Sequence, residues 1–213
     1  MEFCFYLITD RKSTAGEHSI DYVLQDAFEA GVRGVLLRER DLPDRDLIAL
    51  AGRIRDLSHK YNARMLVSGR VDVAIAVGAD GLHLTSRSLP ANAARKLVGK
   101  DKYIAVSTHS LAEAKRAEAE GANFITYGPV YYTSSKAQYG PPVGLENLAQ
   151  VCGQVNIPVF ALGGVTEENA LDAMDAGAYG VAVISAVIGA EYPAAAAAGI
   201  INKIRCYKIG RLV

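Results

Sequence analysis

The residues best suited to chemistry stand at the ends of apolar runs. Pro158-Val-Phe-Ala-Leu-Gly-Gly-Val-Thr-Glu-Glu-Asn169 carries one such run into Gly163 and Gly164 and then into an acidic segment. Glycine has no Cβ, so an anion can approach its N–H closely. A helix start near Thr166 would add orphan N–H donors and a partial positive charge. Such a corner suits a phosphate, although a Gly-Gly pair after a strand also serves as a plain tight turn. A second corner, Gly180-Val-Ala-Val-Ile-Ser-Ala186, delivers Ser185. If the two runs are neighbouring strands, their loops converge on one anion, as they do after strands seven and eight of many (β/α)8 barrels.

Other polar groups fall at comparable places. Arg38 and Arg40 share strand parity, which lets both point to one side as forked anion donors; pairing of either with Glu39 or a helix carboxylate is the bland alternative. Ser107-Thr108-His109 ends another run, and Thr133-Ser134-Ser135-Lys136 lies in a segment from Tyr131 to Pro142, rich in Ser, Tyr, Gly and Pro, that reads as an extended loop after the sixth strand. In that loop Lys136, with Thr133 and Ser135, can close over an anion. His83, inside an apolar run, is either a satisfied core residue or a strand-end acid/base. His109 reads as a cap or packing residue, His18 and His59 as surface residues. Asp10 and Glu39 are the carboxylates at strand ends, too distant in sequence to define a magnesium site.

These positions need a scaffold, and the chain alternates strand-length apolar runs with helical patterns throughout. The expected strands are Phe3 to Thr9, Gly34 to Arg38, Arg64 to Ser68, Gly81 to Leu84, Tyr103 to Ser107, Phe124 to Tyr127, Val159 to Leu162 and Val181 to Ser185. Helical spacing marks Asp21 to Ala30, Asp44 to Lys60, Ala112 to Glu120 and Glu167 to Ala176, with a closing helix from Ala194 through Ile204 and a solvated basic tail after it. Ala30-Gly-Val-Arg-Gly34, Gly78-Ala-Asp-Gly81, Gly121-Ala-Asn-Phe124 and Gly177-Ala-Tyr-Gly180 repeat a helix-to-strand joint on every second strand. The pattern specifies an α/β fold, a single (β/α)8 TIM barrel over residues 1–213; a doubly wound sheet is the alternative.

Composition sets the outer bounds. With 213 residues, half of them hydrophobic, the chain fills one α/β domain or, less comfortably, two small ones. Lys plus Arg and Asp plus Glu both count 23, which argues against nucleic acid or an anionic membrane as partner. The N-terminal apolar run lacks a basic flank and is too short for a signal or a span, so a cytoplasmic protein is expected. Cys4, Cys152 and Cys206 lie far apart without metal-ligand spacing, as in a reducing compartment.

Taken in order, Tyr6-Leu-Ile-Thr-Asp10, Leu37-Arg-Glu-Arg40, Gly69-Arg-Val-Asp72, Val77-Gly-Ala-Asp-Gly-Leu-His-Leu84, Val106-Ser-Thr-His-Ser110, Tyr127-Gly-Pro-Val130, Thr133 to Lys136, Leu162-Gly-Gly-Val165 and Val183-Ile-Ser185 resemble the thiamine phosphate synthase and TenI family over nearly the whole chain. The resemblance implies that Thr133, Ser135, Lys136, Gly164, Ile184 and Ser185 hold a thiazole phosphate, and that Arg38, Arg40 and Ser107 face a pyrimidine diphosphate. Synthases of the family carry magnesium-binding carboxylates where this chain has Gly69 and Ser88. Arg-Glu-Arg and Gly-Arg-Val-Asp look more like the TenI branch, whose members tautomerise a thiazole carboxylate phosphate, although the branch's base histidine after the strand-six glycine is here Pro129. The expectation is therefore a metal-independent thiazole tautomerase without cofactor, in which His83, Tyr127 or Tyr131 supplies the acid/base group. The alternatives are a magnesium-dependent synthase joining hydroxymethylpyrimidine diphosphate to thiazole phosphate, and a non-catalytic thiazole phosphate binder. The expected partner is a small phosphorylated heterocycle, with homo-oligomerisation left open.

Overall fold

A computed structural model describes residues 1–85, 87–134 and 140–210. Eight parallel strands close into a barrel in sequence order. They are β1 (Phe5–Ile8), β2 (Gly34–Leu37), β3 (Arg64–Ser68), β4 (Gly81–Leu84), β5 (Tyr103–Thr108), β6 (Phe124–Tyr127), β7 (Val159–Leu162) and β8 (Gly180–Val183). Around them run α1 (Ile20–Glu29), α2 (Asp44–Lys60), α3 (Val71–Ala76), α4 (Ala91–Val98), α5 (Leu111–Ala119), α6 (Gly144–Cys152), α7 (Ala170–Asp175), α8 (Ser185–Ile188) and α9 (Pro193–Gly210), with a 3-10 turn at Arg11–Ser13. No helix among the described residues is long and apolar enough to cross a membrane.

Strand parity divides the apolar residues into two cores. Outward-facing residues such as Leu7, Val35, Val67, Leu82, Ile125 and Val181 join the buried faces of the helices. Along α2 that face is Leu47, Leu50, Ala51, Ile54 and Ser58, at three- and four-residue spacing. Inward-facing residues make a second core in which four aromatic rings, Phe3, Tyr6, Phe124 and Phe160, fill the lower barrel among Ile8, Leu36, Leu66, Ala105 and Ala182. The rings meet at centroid distances of 5.2 to 6.0 Å, mostly tilted or edge-on. They fit because their neighbours are small: a Cβ on Gly34 would stand 2.5 Å from the Phe3 ring. The lower barrel is a solid floor, and function is left to the strands' C-terminal rim.

The repeated joints are one backbone device used four times. After α1, Gly31 N–H donates to Phe28 O and Val32 N–H to Ala27 O; the same pair of bonds recurs at Gly78 and Ala79, at Gly121 and Ala122, and at Gly177 and Ala178. All four glycines have positive φ, which only the left-handed cap requires.

Three expectations need correction. β8 ends at Val183 rather than Ser185, because Ile184 turns out of strand geometry (φ −121°, ψ −87°) and Ser185 opens α8. The helix expected near Thr166 begins only at Ala170. Before it the Asn169 side chain accepts from Thr166 N–H and donates to Gly164 O, holding a turn where a helix start was expected. The basic tail is not a loose end: α9 continues to Gly210 and sets the Lys208 ammonium 3.8 Å from the centre of the Tyr179 ring.

Candidate functional site

The two corners singled out in the sequence leave adjacent strands, since Leu162 pairs with Ala182 across β7 and β8. Gly163 and Gly164 both take positive φ, 96° and 66°. Their lack of side chains is forced by packing as well as by torsion. A Cβ on Gly163 would lie 2.5 Å from Pro129 Cβ, and one on Gly164 would lie 2.5 Å from Tyr132 O. The loop after β6 therefore rests on the loop after β7, and Tyr131 N–H donates to Gly163 O at 3.0 Å. Ile184 is half-buried beside this contact and Ser185 is exposed at the head of α8. Thr133 follows in the β6 loop, half-buried and engaged with its surroundings. Ser135 and Lys136 lie outside the described residues.

The other side of the mouth is built from side chains. Arg38 leaves β2 half-buried, its N–H donating to the hydroxyl of fully buried Thr9. Arg40 is exposed, and both guanidinium charges reach His83 strongly enough to disfavour its protonation. Glu39, the partner in the alternative reading of these arginines, is taken by Arg11 instead. Glu39, 5% exposed, accepts from both the backbone N–H and the guanidinium of Arg11, whose guanidinium also grips Asp41 at 2.7 and 2.8 Å. The β1 and β2 loops are thus bolted together beneath Arg38 and Arg40, while Arg38 itself makes no side-chain hydrogen bond among the described residues.

Between these sides the inward strand positions carry polar atoms. His83 on β4 is 2% exposed, with Nε2 2.8 Å from Ser107 Oγ and 3.4 Å from Thr126 Oγ1, and Nδ1 3.3 Å from the hydroxyl of Tyr6. The Tyr6 ring stacks on it at 5.8 Å. Burial first, then the charges of Arg38 and Arg40, hold the imidazole down to about 3, so it is neutral near neutral pH.

The acid/base candidates fare unevenly. Tyr127 is the residue after inward-facing Thr126, so parity turns it outward; it is 3% exposed among helix residues, and burial raises its pKa. It does not face the mouth. Tyr131 donates its hydroxyl to Asn169 O at 2.8 Å, and burial pushes its pKa up to about 12. His109 acts as a brace: Nδ1 donates to Gly128 O at 2.6 Å, and its N–H donates to Glu113 at the start of α5. Sequence reasoning missed Tyr6, Thr126, Thr9 and Arg11. Inward parity of the first two, next to His83, was the signal available for them.

Magnesium, which the synthase reading implies, finds no carboxylate at the two positions where the resemblance would place its ligands. Gly69 and Ser88 do face each other, since a Cβ on Gly69 would lie 3.4 Å from Ser88 Oγ, but together they offer no carboxylate. That hydroxyl already accepts from Thr85 N–H at 3.0 Å. Among the described residues no three His, Cys, Asp or Glu converge in a way that could hold a metal ion.

Comparison with known proteins gives a consistent result. The family model TMP-TENI, thiamine monophosphate synthase, matches residues 5–187. A putative thiamine-phosphate synthase of Geobacter sulfurreducens is 50% identical over 193 residues, covering 91% of this chain and 90% of the relative. A thiamine-phosphate synthase of Moorella thermoacetica is 42% identical over 90% of this chain and 91% of its own. Among solved structures, thiamine phosphate pyrophosphorylase from Pyrococcus furiosus superposes with a TM-score of 0.86 at 33% identity, covering 94% of this chain and 95% of that one. The chain is an enzyme of the thiamine monophosphate synthase family.

Proposed function

We propose that this enzyme is a thiamine-phosphate synthase, joining hydroxymethylpyrimidine diphosphate to thiazole phosphate, and not the tautomerase that its Arg-Glu-Arg and Gly-Arg-Val-Asp motifs suggested. The observation that carries this reading is the state of the three acid/base candidates. His83 is buried and poorly basic, Tyr127 faces the helices, and Tyr131 is committed to a backbone carbonyl. A tautomerase has to move a proton between carbon and a base. The synthase reaction does not. The thiazole ring nitrogen supplies the electron pair for the new C–N bond, the methylene C–O bond breaks, and diphosphate leaves with that bond's electrons.

What such a reaction requires is an anchored nucleophile and relief of the charge growing on the leaving group. Gly163, Gly164, Ile184 and Ser185, with Thr133, Ser135 and Lys136 of the adjoining loop, would hold the thiazole phosphate. Arg38 and Arg40, permanently charged, would face the diphosphate, with Ser107 beside them. The names of the relatives point the same way. Gly69 and Ser88 offer no carboxylate, so a magnesium ion serving this reaction would be held mainly through the substrates' phosphates.

Incubating the enzyme with both substrates, with magnesium and separately with a chelator, tests the reading. Thiamine phosphate and inorganic diphosphate should form in equal amounts. Conversion of a thiazole carboxylate phosphate tautomer, without any thiamine phosphate above background, would overturn it in favour of the tautomerase.

A further inference from the structure

The polar chain running up the inside of the barrel, Tyr6 to His83 to Ser107, has a direction. Tyr6 is fully buried among Phe3, Phe124 and Phe160, and its hydroxyl has one hydrogen-bond partner among the described residues, His83 Nδ1 at 3.3 Å. A phenol is a better donor than acceptor, and a bare imidazole nitrogen is a better acceptor than a phenol oxygen. Were Nδ1 to carry the proton instead, the Tyr6 hydrogen would be stranded in an aromatic floor, at the full cost of an unmet buried donor. The Tyr6 hydroxyl therefore donates to Nδ1. In a neutral ring the proton must then sit on Nε2, which points at Ser107 Oγ, 2.8 Å away.

We propose that Tyr6 and His83 are positioning residues which fix the Ser107 hydroxyl as acceptor from below and hydrogen-bond donor into the mouth, so that the ligand atom meeting it on the Arg38 and Arg40 side is an acceptor. The half-buried Ser107 hydroxyl has one hydrogen of its own, and with one lone pair taken by Nε2–H that hydrogen is directed away from the imidazole. Thr126 Oγ1, at 3.4 Å from Nε2, is the weaker partner. Neutrality of His83 secures the arrangement, because an imidazolium would have no lone pair for Tyr6. On the synthase reading, on which the identity of the ligand rests, the acceptor is a diphosphate oxygen or a lone pair of the pyrimidine ring.

Nitrogen-15 spectra of histidine-labelled protein read the tautomer directly. The His83 signals, identified among four histidines by their loss in His83→Gln, should show a protonated Nε2 and a bare Nδ1, and Tyr6→Phe should turn this into a mixture. Calorimetric titration with inorganic diphosphate and, separately, with the unphosphorylated pyrimidine alcohol reads the consequence. Ser107→Ala should weaken one of the two by about tenfold, the worth of one hydrogen bond, and the affected probe names the acceptor. His83→Leu should reproduce most of that loss, and His83→Gln, whose amide N–H can stand in for Nε2–H, should restore it. A wild-type spectrum with Nδ1 protonated would overturn the proposal even if no variant folds, as would undiminished binding of both probes by Ser107→Ala. An enzyme that shows the expected tautomer and binding but forms no thiamine phosphate would sink the synthase reading and leave the Ser107 assignment standing.

Discussion

On the β6 to β8 side of the barrel mouth, position is enforced by backbone: Gly163 and Gly164 lie so close to Pro129 and Tyr132 that no side chain fits. On the β2 to β5 side it is enforced by buried polar side chains, with Glu39 gripped by Arg11 below the arginines and His83 wedged between Tyr6 and Ser107. The first kind of construction fails through strain and takes the fold's local stability with it. The second fails through lost charge or hydrogen bonding while the barrel stands. The contrast yields a graded set of expectations.

The largest effects belong to the backbone side. Gly164→Ala and Gly163→Ala each combine a left-handed torsion with a close backbone or proline contact, and should lower the unfolding free energy by about 2–4 kcal/mol in a denaturant titration. Wild-type stability in both would show that the β6 loop moves aside freely, and the contrast would dissolve.

Next come two substitutions that should dissociate the sides. Arg38→Met is expected to weaken inorganic diphosphate binding by about 10- to 100-fold, the range for charge-assisted hydrogen bonds, with an unchanged melting temperature. Ser185→Asp should weaken thiazole phosphate binding about as much and leave diphosphate untouched. If either variant lost both ligands equally, the mouth would be one anion site and not two.

Stability should also depend on acidity through His83. Its folded pKa, about 3, lies below the ordinary value of 6.5, so the stabilising contribution is fully present above pH 6.5 and is lost as pH falls toward 3. Within that window wild-type stability should drop by up to about 1.4 kcal/mol per pH unit from this group, and His83→Gln should flatten the slope. An unchanged slope would mean that the side-chain half is open to water. The smallest effect is expected at exposed Arg87: removing its side chain should change stability by less than about 0.5 kcal/mol, and any marked loss of diphosphate affinity would extend the cationic side to the β4 loop.

How much of this the sequence disclosed follows from the same contrast. Strands, joints and the Gly-Gly corner are local signals, written in consecutive residues whose period or torsion is diagnostic, and they fall within a residue or two of the structure. The closing of the barrel beside Gly163 and Ser185 followed from strand count. The partners of Glu39 and His83 did not, because Arg11 and Tyr6 reach them from 28 and 77 residues away, and nothing in a linear pattern distinguishes which cation a buried carboxylate will take. Tyr127 was misplaced for a simpler reason, since a one-residue shift in parity exchanges the two faces of a strand. The late start of α7 reflects Asn169, whose side chain satisfies Thr166 N–H and so permits a turn where a helix was expected.

The four glycine-capped joints, all on the rim remote from the mouth, link successive parts of the barrel through the same coupling. A chain nicked between Gly121 and Ala122 is cut at such a coupling, between α5 and β6, leaving one fragment with the Arg38, His83 and Ser107 wall and the other with the Gly163-Gly164 and Ser185 corners. Co-expressed halves should therefore complement each other, each bringing one anion grip to the reassembled enzyme.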